Sequence, residues 1–299
     1  MPGWTLRFGI AVAAAGACPA WAADRLYACG DDQVREYEVS DTGVAREVWR
    51  WSAADAADLP DGYRRTLLSK IDDCKPVDGG RSILVTASTG GVALVNRATG
   101  RVSFRATAPM AHSADALPHG LIAVALSIHR DGDRLELYDR RRSEAPLLHM
   151  PLPSGHGAVW DARRRRLFVL SHDLIQAYRI GGTAAAPALV EAARWTLPGR
   201  RDGHDLSYRS GGNYLVTTDD GVWTFDPGKG TFAALPTLNP KLRVKAVSFT
   251  GDGNKGRLAW VQAEESWWAK GFTIARADGS DPVRVPVEGM HLYKVRWID

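Results

Sequence analysis

His156-Gly-Ala-Val-Trp160 is one of six copies of a short repeated motif, here called the phrase. In each copy a polar residue is followed by a few small or apolar residues and then by a turn. The other copies are Lys75-Pro-Val-Asp-Gly79, His112-Ser-Ala-Asp-Ala116, His204-Asp-Leu-Ser-Tyr208, Lys245-Ala-Val-Ser-Phe249 and Tyr293-Lys-Val-Arg-Trp297, and their leading residues are 37 to 48 positions apart. A repeat of about 40 to 50 residues built from strands is typical of a β-propeller with one four-stranded sheet per repeat. We therefore predict an all-β, six-bladed β-propeller.

The two ends of the chain are expected to share one blade. Residues 25–51 contain three strands but no innermost strand, and the last strand, from Leu292 to Ile298, has no outer strands after it. Pairing of the last strand with the first blade closes the propeller and removes an exposed sheet edge. We expect a single propeller domain over residues 24–299. The alternative, two packed β-sandwiches, would not explain why a polar residue occupies the same position in every repeat.

Charge and hydropathy argue against nucleic-acid binding and against a membrane span. The 38 basic and 34 acidic residues are interspersed, and the net charge of +4 is too small to indicate nucleic-acid binding. No stretch after the N-terminus approaches the length of a membrane span. We expect a monomer whose partner is a small molecule or an oligosaccharide.

Residues 1–23 are predicted to be a signal peptide. Arg7 precedes an apolar run from Phe8 to Ala17, and Ala20-Trp-Ala22 matches the pattern that signal peptidase cuts after. A lipoprotein anchored at Cys18 is the weaker alternative, because Pro19 follows the cysteine. The protein is therefore expected to be periplasmic or secreted.

Two cysteines, Cys29 and Cys74, remain after removal of the leader. An oxidising compartment permits them to pair, and the propeller places both on one rim near the axis. The sequence leaves open whether they form a disulfide or stay free, because it does not fix the distance between them.

Three histidines lead consecutive copies of the phrase and are expected to meet around the propeller axis. Converging imidazoles of His112, His156 and His204 could act as acid/base groups or hold a divalent metal such as Zn, Mn or Ca. The alternative is structural, with each histidine donating to a backbone carbonyl and filling the channel. Three histidines at the same position of consecutive repeats favour a functional role, because small apolar residues would fill the channel at a lower free-energy cost.

Lys75, Lys245 and Tyr293 complete the predicted ring on the opposite arc. Two ammonium groups facing a cavity suit an anionic ligand, such as a uronate carboxylate, a sulfate or a phosphate. The alternative is that the lysines form salt bridges with nearby carboxylates such as Asp78 and Asp115. Tyr293 is a candidate proton donor.

The loop after the second strand of blade 6 is expected to overhang the ring. It reads Gln262-Ala-Glu-Glu-Ser-Trp-Trp268, and we treat Gln262, Glu264, Trp267 and Trp268 as candidate ligand-binding residues. Indole rings stack on sugars, although the two tryptophans could equally pack on blade 6 as a lid. Charge statistics favour a solvated loop for the two glutamates.

Several stretches resemble a family of exported bacterial propeller proteins known only as a domain of unknown function. They extend over essentially the whole mature chain and include Gly155-His-Gly-Ala-Val-Trp-Asp161, Gly203-His-Asp-Leu-Ser207 and Leu292-Tyr-Lys-Val-Arg-Trp297. The resemblance implies the propeller fold and its axial pocket, and no established activity. A looser similarity, in architecture and in His, Tyr and Lys content, is to propeller-fold polysaccharide lyases, from which we carry over no catalytic residue.

The predicted ring indicates an exported carbohydrate-active protein with a His/Lys/Tyr pocket for an anionic saccharide. A lyase acting by β-elimination needs a neutralised carboxylate, a base at the α-carbon and a donor for the leaving oxygen, and the ring holds each residue type. The alternatives are a periplasmic binding or sensing module without turnover, and an interaction scaffold whose ring only fills the channel.

Overall fold

The computed structural model describes residues 1, 24–183, 186–200 and 202–298 as six four-stranded antiparallel sheets. The sheets are the blades of a six-bladed β-propeller, as predicted. Apart from Met1, the predicted signal peptide lies outside the described residues.

Each blade runs from an innermost strand at the axis to an outermost strand at the rim. In order from the axis, blades 1 to 3 contain β24 (Leu292–Ile298), β1 (Asp24–Gly30), β2 (Gln33–Val39) and β3 (Ala45–Ser52); β4 (Ile71–Val77), β5 (Ser82–Ala87), β6 (Gly91–Asn96) and β7 (Val102–Thr107); β8 (Ala111–Leu117), β9 (Leu121–Leu126), β10 (Arg134–Asp139) and β11 (Pro146–Pro151). Blades 4 to 6 contain β12 (Gly157–Asp161), β13 (Arg166–Leu170), β14 (Leu174–Gly182) and β15 (Pro187–Thr196); β16 (Gly203–Arg209), β17 (Asn213–Thr218), β18 (Gly221–Asp226) and β19 (Thr231–Ala234); β20 (Val244–Thr250), β21 (Arg257–Gln262), β22 (Gly271–Arg276) and β23 (Val283–Pro286).

The C-terminal strand closes the propeller. β24 pairs antiparallel with β1, so that Trp297 faces Leu26 and Val295 faces Ala28. The blade order β24-β1-β2-β3 confirms the predicted closure. The innermost strand of blade 1 therefore comes from the opposite end of the chain, and no blade lacks its axial strand.

Apolar side chains pack between neighbouring blades and hold the inner strands in place. Between blades 2 and 3, the buried rings of Phe104 and Tyr138 meet edge to face with centroids 5.6 Å apart. Ala114 on β8 lies in the same cluster, and its small side chain lets the two sheets approach near the axis. This packing gives the axial side chains a rigid support.

The helical segments are short and connect strands. They are a π-type turn at Tyr63–Leu67 and 3-10 turns at Pro118–Gly120, Pro198–Arg200, Ser210–Gly212 and Gly253–Lys255. In the described part of the chain, none of the helices has the length and apolarity that a membrane crossing requires.

A disulfide joins Cys29 of β1 to Cys74 of β4, with a Cα–Cα distance of 6.1 Å. Of the two outcomes that the sequence left open, the structure shows the paired one. The bond links blade 1, in which the two ends of the chain pair, to blade 2.

Candidate functional site: the axial ring

In five blades the innermost strand bulges at one residue near its start. In blade 3, Ala111 pairs with Leu126 and Ser113 pairs with Ala125, so that His112 has no partner in the ladder. A bulge of this kind re-aims the side chain of the extra residue. In blade 4, His156 stands directly before β12 and donates its N–H to the Leu170 carbonyl at 2.9 Å. The six residues at this position, here called the axial ring, are Tyr293, Asp72, His112, His156, His204 and Lys245 of blades 1 to 6.

Blade 2 contributes Asp72 to the ring, so the prediction that Lys75 lies there is wrong. The bulge on β4 falls between Ile71 and Asp73, three residues before Lys75. Lys75 lies farther along the channel, where its Nζ contacts the Ala158 carbonyl and stands 3.9 Å from Asp115 Oδ2. Burial lowers the pKa of Lys75, and the Asp115 carboxylate opposes that shift. The salt-bridge alternative for Lys75 therefore describes its surroundings better than a place among ligand-facing groups.

The axial ring lines a cavity of about 430 Å³, here called the ring cavity. All six ring side chains border it, together with Lys70, Ser88, Thr89, Met110 and Trp267. The structure thus brings together His112, His156, His204, Lys245 and Tyr293, as the sequence predicted. The volume lies within the usual range for small-molecule sites.

The three histidines do not point at a common metal position. The rings of His112 and His156 are stacked, with centroids 4.4 Å apart and planes 15° apart. Because the nitrogen lone pairs lie in the ring planes, two nearly parallel imidazoles cannot both aim at one ion between them. Within the described residues, no group of three or more His, Cys, Asp or Glu side chains is arranged to hold a metal ion. The geometry therefore favours acid/base and hydrogen-bonding roles over a Zn, Mn or Ca site.

His156 is a neutral imidazole with a defined tautomer. Its Nδ1 lies 2.9 Å from the Ser154 carbonyl, which can only accept, so Nδ1 carries the proton. Burial, and then the neighbouring His112, hold the pKa of His156 well below its usual value. Nε2 is therefore unprotonated at neutral pH and makes no hydrogen bond to another described residue.

His204 belongs to a cluster of three titratable side chains. Its Nε2 lies 2.6 Å from Asp219 Oδ1 and 3.0 Å from Lys245 Nζ. A protonated Nε2 satisfies the carboxylate, whereas an unprotonated one accepts from the ammonium. Burial lowers the pKa of both His204 and Lys245, and the charge of Lys245 lowers that of His204 further. The three groups therefore form one hydrogen-bonded cluster around His204 Nε2.

Asp72 and His112, which border the cavity, each keep one buried polar atom without a hydrogen bond within the described part of the chain. Asp72 Oδ2 and His112 Nδ1 are 3.0 Å apart, but their alignment is poor, and neither atom has a hydrogen-bond partner among the described residues. Both side chains are about nine-tenths buried. Buried polar atoms without partners destabilise the folded state, so an interaction that satisfies these two atoms is favoured.

Tyr293 keeps its proton at all physiological pH values. Burial, and then the nearby carboxylate of Asp72, raise the pKa of its phenol well above the usual value. Tyr293 can therefore donate a hydrogen bond or a proton to a ligand, but it cannot serve as a resting phenolate base.

A buried ion network closes the channel beneath the ring. Arg296 donates to both oxygens of Asp73 at 2.8 and 3.0 Å and to both oxygens of Asp205 at 2.8 and 2.5 Å. Lys294 Nζ lies 3.2 Å from Asp205 and 3.8 Å from Asp73. Burial alone would raise the pKa of both carboxyls, but Arg296 and Lys294 outweigh it and hold both pKa values below their usual range. The ring cavity therefore has a fixed, charged floor.

Only part of the blade 6 loop reaches the site. Trp267 is 52% exposed and borders the ring cavity at its mouth, with Lys70 Nζ 5.9 Å from its ring. Trp268 instead packs against His291 in an adjoining groove of about 210 Å³ that Trp267 also borders.

Gln262 and Glu264 do not line the ring cavity. The Gln262 amide donates to the Leu242 carbonyl at 3.0 Å. Glu264 accepts from the Lys270 N–H at 2.8 Å and pairs with Arg284. Both side chains form hydrogen bonds with neighbouring loop residues instead. The prediction that they face the pocket is therefore wrong.

Sequence reasoning missed Asp72 and the whole ion network. A usable signal was present, because Asp73, Asp205 and Lys294 directly follow ring residues of their blades. A polar residue directly after the leading residue of several repeats indicates a second polar layer in the channel.

Comparison with known proteins agrees with this architecture. A family model described as "Family of unknown function (DUF6528)" matches residues 11–299. The chain belongs to this family. The DUF6528 chain is also similar to a crystal structure at 1.35 Å of a protein of unknown function from Bacteroides caccae, with a TM-score of 0.59 and 12% identity over 93% of this chain and 99% of that one. At that identity the likeness shows the fold alone. A search of curated proteins found no match. The predicted membership of a propeller family of unknown function is confirmed.

Proposed function

We propose that this protein binds a small saccharide in the ring cavity. One observation carries the proposal: polar side chains from all six blades border a cavity that is closed below and has a half-exposed indole, Trp267, at its mouth. Sites for small ligands combine a concave shape with a few polar groups that fix orientation. An indole at the mouth offers the flat apolar surface on which sugar rings stack.

The polar lining matches hydroxyl groups, which both donate and accept hydrogen bonds. Acceptors are the Asp72 carboxylate and His156 Nε2, and donors are the Tyr293 hydroxyl and the Lys245 ammonium. Inside the ring there is a single ammonium group, because Asp72 occupies the position predicted for Lys75. A saccharide with one acidic group directed at Lys245 fits this charge pattern better than a polyanion.

The proposed setting is the periplasm or the outside of the cell. Two features support it: the predicted leader over residues 1–23 and the disulfide between Cys29 and Cys74. Disulfides persist in oxidising compartments and are rare in the cytosol.

β-Elimination is a second candidate, and the protonation states of two ring residues favour it. His156 offers an unprotonated Nε2 as base, and Tyr293 in the blade opposite keeps its proton for the leaving oxygen. Lys245, next to Tyr293 in the ring, would neutralise the substrate carboxylate. Incubation with uronic-acid oligosaccharides should then release unsaturated products that absorb in the ultraviolet, whereas a binding protein releases none.

The binding proposal is tested by thermal shift with a panel of neutral and uronic-acid oligosaccharides. A ligand at about 100 times its Kd stabilises the protein by about 2.7 kcal/mol, which is a shift of several degrees. We expect His156→Gln to remove the shift and His149→Gln, on the exposed face of β11, to keep it. An equal shift in both variants, or no shift with any saccharide, would contradict the proposal; the second result would favour an interaction scaffold.

A further inference from the structure

A second cavity, of about 300 Å³, lies between blades 3 and 4 on the face opposite the axial ring. Ring residues stand at the starts of the innermost strands, whereas this cavity borders the turn that follows the end of β12. Its lining includes four arginines, one histidine and one tryptophan, which are Arg164, Arg165, Arg166, Arg179, His119 and Trp160. We call it the arginine cavity.

The arginines come from two neighbouring strands of blade 4. Arg164 and Arg165 lie in the turn before β13, Arg166 begins β13, and Arg179 lies on β14. Because Leu167 pairs with Tyr178, Arg166 and Arg179 occupy the next facing positions of the two strands. Like charges at facing positions destabilise a sheet. The two facing arginines therefore lower the stability of the sheet at this position.

The charges in the arginine cavity are largely uncompensated. Arg164 pairs with Asp161 at 2.8 Å, but Asp161 also accepts from the Tyr214 hydroxyl at 2.7 Å. Arg166 donates to the backbone carbonyls of Arg164 and Arg165. No carboxylate of the described residues pairs with Arg165, Arg166 or Arg179, and no acidic side chain borders the cavity.

We propose that the arginine cavity binds a tetrahedral oxyanion, phosphate or sulfate, either free or as an ester. The planar guanidinium fork matches two oxygens of such a group at once. The charges converge on a concave site of limited volume, which suits a discrete group better than the long backbone of a nucleic acid or a flat membrane surface. Trp160, half-buried in the lining, offers an apolar surface for the organic part of an ester.

Calorimetric titration at low salt tests the proposal with inorganic phosphate, glycerol 3-phosphate and glycerol. Charged hydrogen bonds are strong enough that the loss of two arginines should weaken phosphate binding about tenfold or more. We therefore expect this loss in Arg165→Gln/Arg179→Gln. Arg163→Gln is the matched control, because Arg163 belongs to the same run and is exposed but does not border the cavity. It should retain binding within about twofold.

The three ligands separate the sources of the anion. Tighter binding of glycerol 3-phosphate than of inorganic phosphate would indicate an ester ligand, and equal binding would indicate the free anion. Because none of these probes is a saccharide, Lys245→Met should leave their binding unchanged, which separates the arginine cavity from the ring cavity. The proposal is overturned if no saturable phosphate binding occurs, if Arg163→Gln loses as much affinity as the double variant, or if glycerol binds as well as glycerol 3-phosphate. Binding only to DNA or to anionic vesicles would likewise overturn it.

Discussion

Replacement of Arg296 by methionine should destabilise the propeller more than any surface substitution of the same kind. Arg296 makes four charge-assisted hydrogen bonds to Asp73 and Asp205, and both carboxylates are completely buried. After the substitution, Lys294 alone faces two carboxylates, so the floor of the ring cavity gains an uncompensated buried negative charge. Breaking a buried ion pair in this way typically costs about 3–5 kcal/mol.

The assay is urea unfolding, followed by the fluorescence of the nine tryptophans that lie after residue 23. Arg276→Met is the matched control, because Arg276 pairs with Asp281 in a site where both side chains are more than half exposed. An exposed pair contributes at most about 1 kcal/mol. Adding Asp73→Asn to Arg296→Met should recover part of the loss, because it removes the unpaired charge. Equal losses for Arg296→Met and Arg276→Met would refute the reasoning.

Three further predictions concern pH, the disulfide and the mouth of the cavity. The pKa values of Asp73 and Asp205 are lower in the folded state than in the unfolded state, where they are about 3.9. The stabilisation that these carboxylates provide is therefore present above about pH 4 and is lost as pH falls through the folded-state values. The free energy of unfolding should drop below about pH 4, and a flat profile down to about pH 3 would contradict this. Cys29→Ser/Cys74→Ser should lower stability by about 4 kcal/mol in the chain-entropy model for a separation of 45 residues, and a melting temperature unchanged by reductant would count against it. Trp267→Ala should weaken saccharide binding by about 1 kcal/mol or more, roughly fivefold. If calorimetry shows undiminished affinity, the indole does not contact the saccharide.

The blade count and the closure could be predicted from the sequence because both depend on local patterns. Apolar alternation and the spacing of the phrase identify the strands, and the missing innermost strand of blade 1 required a partner from the C-terminus. The histidine ring followed from the same periodicity, since equal phase in each blade places His112, His156 and His204 around one axis.

The register of blade 2 could not be fixed in this way. Asp72 and Lys75 are both polar and lie on the same strand, so the phrase alone does not show which of them occupies the bulge. The choice depends on long-range contacts, because Arg296 needs Asp73 beneath the ring and Lys75 finds the Ala158 carbonyl two blades away. Such pairings are set by the closed fold.

The arginine cavity was missed for a related reason. Arg164, Arg165 and Arg166 form a visible charge run, but Arg179 joins them only through the pairing of β13 with β14. A charge run alone is usually a solvated surface. That no carboxylate of the described residues pairs with Arg165, Arg166 or Arg179 is a property of the folded arrangement.

The most direct test of the account is a crystal structure of the protein with the saccharide that gives the largest thermal shift. We expect the sugar to lie against Trp267 above the axial ring, with an acidic group within hydrogen-bond distance of Lys245 Nζ and hydroxyls bonded to Asp72 and His156. A saccharide bound elsewhere, or ring histidines that point to separate surfaces, would contradict the central claim.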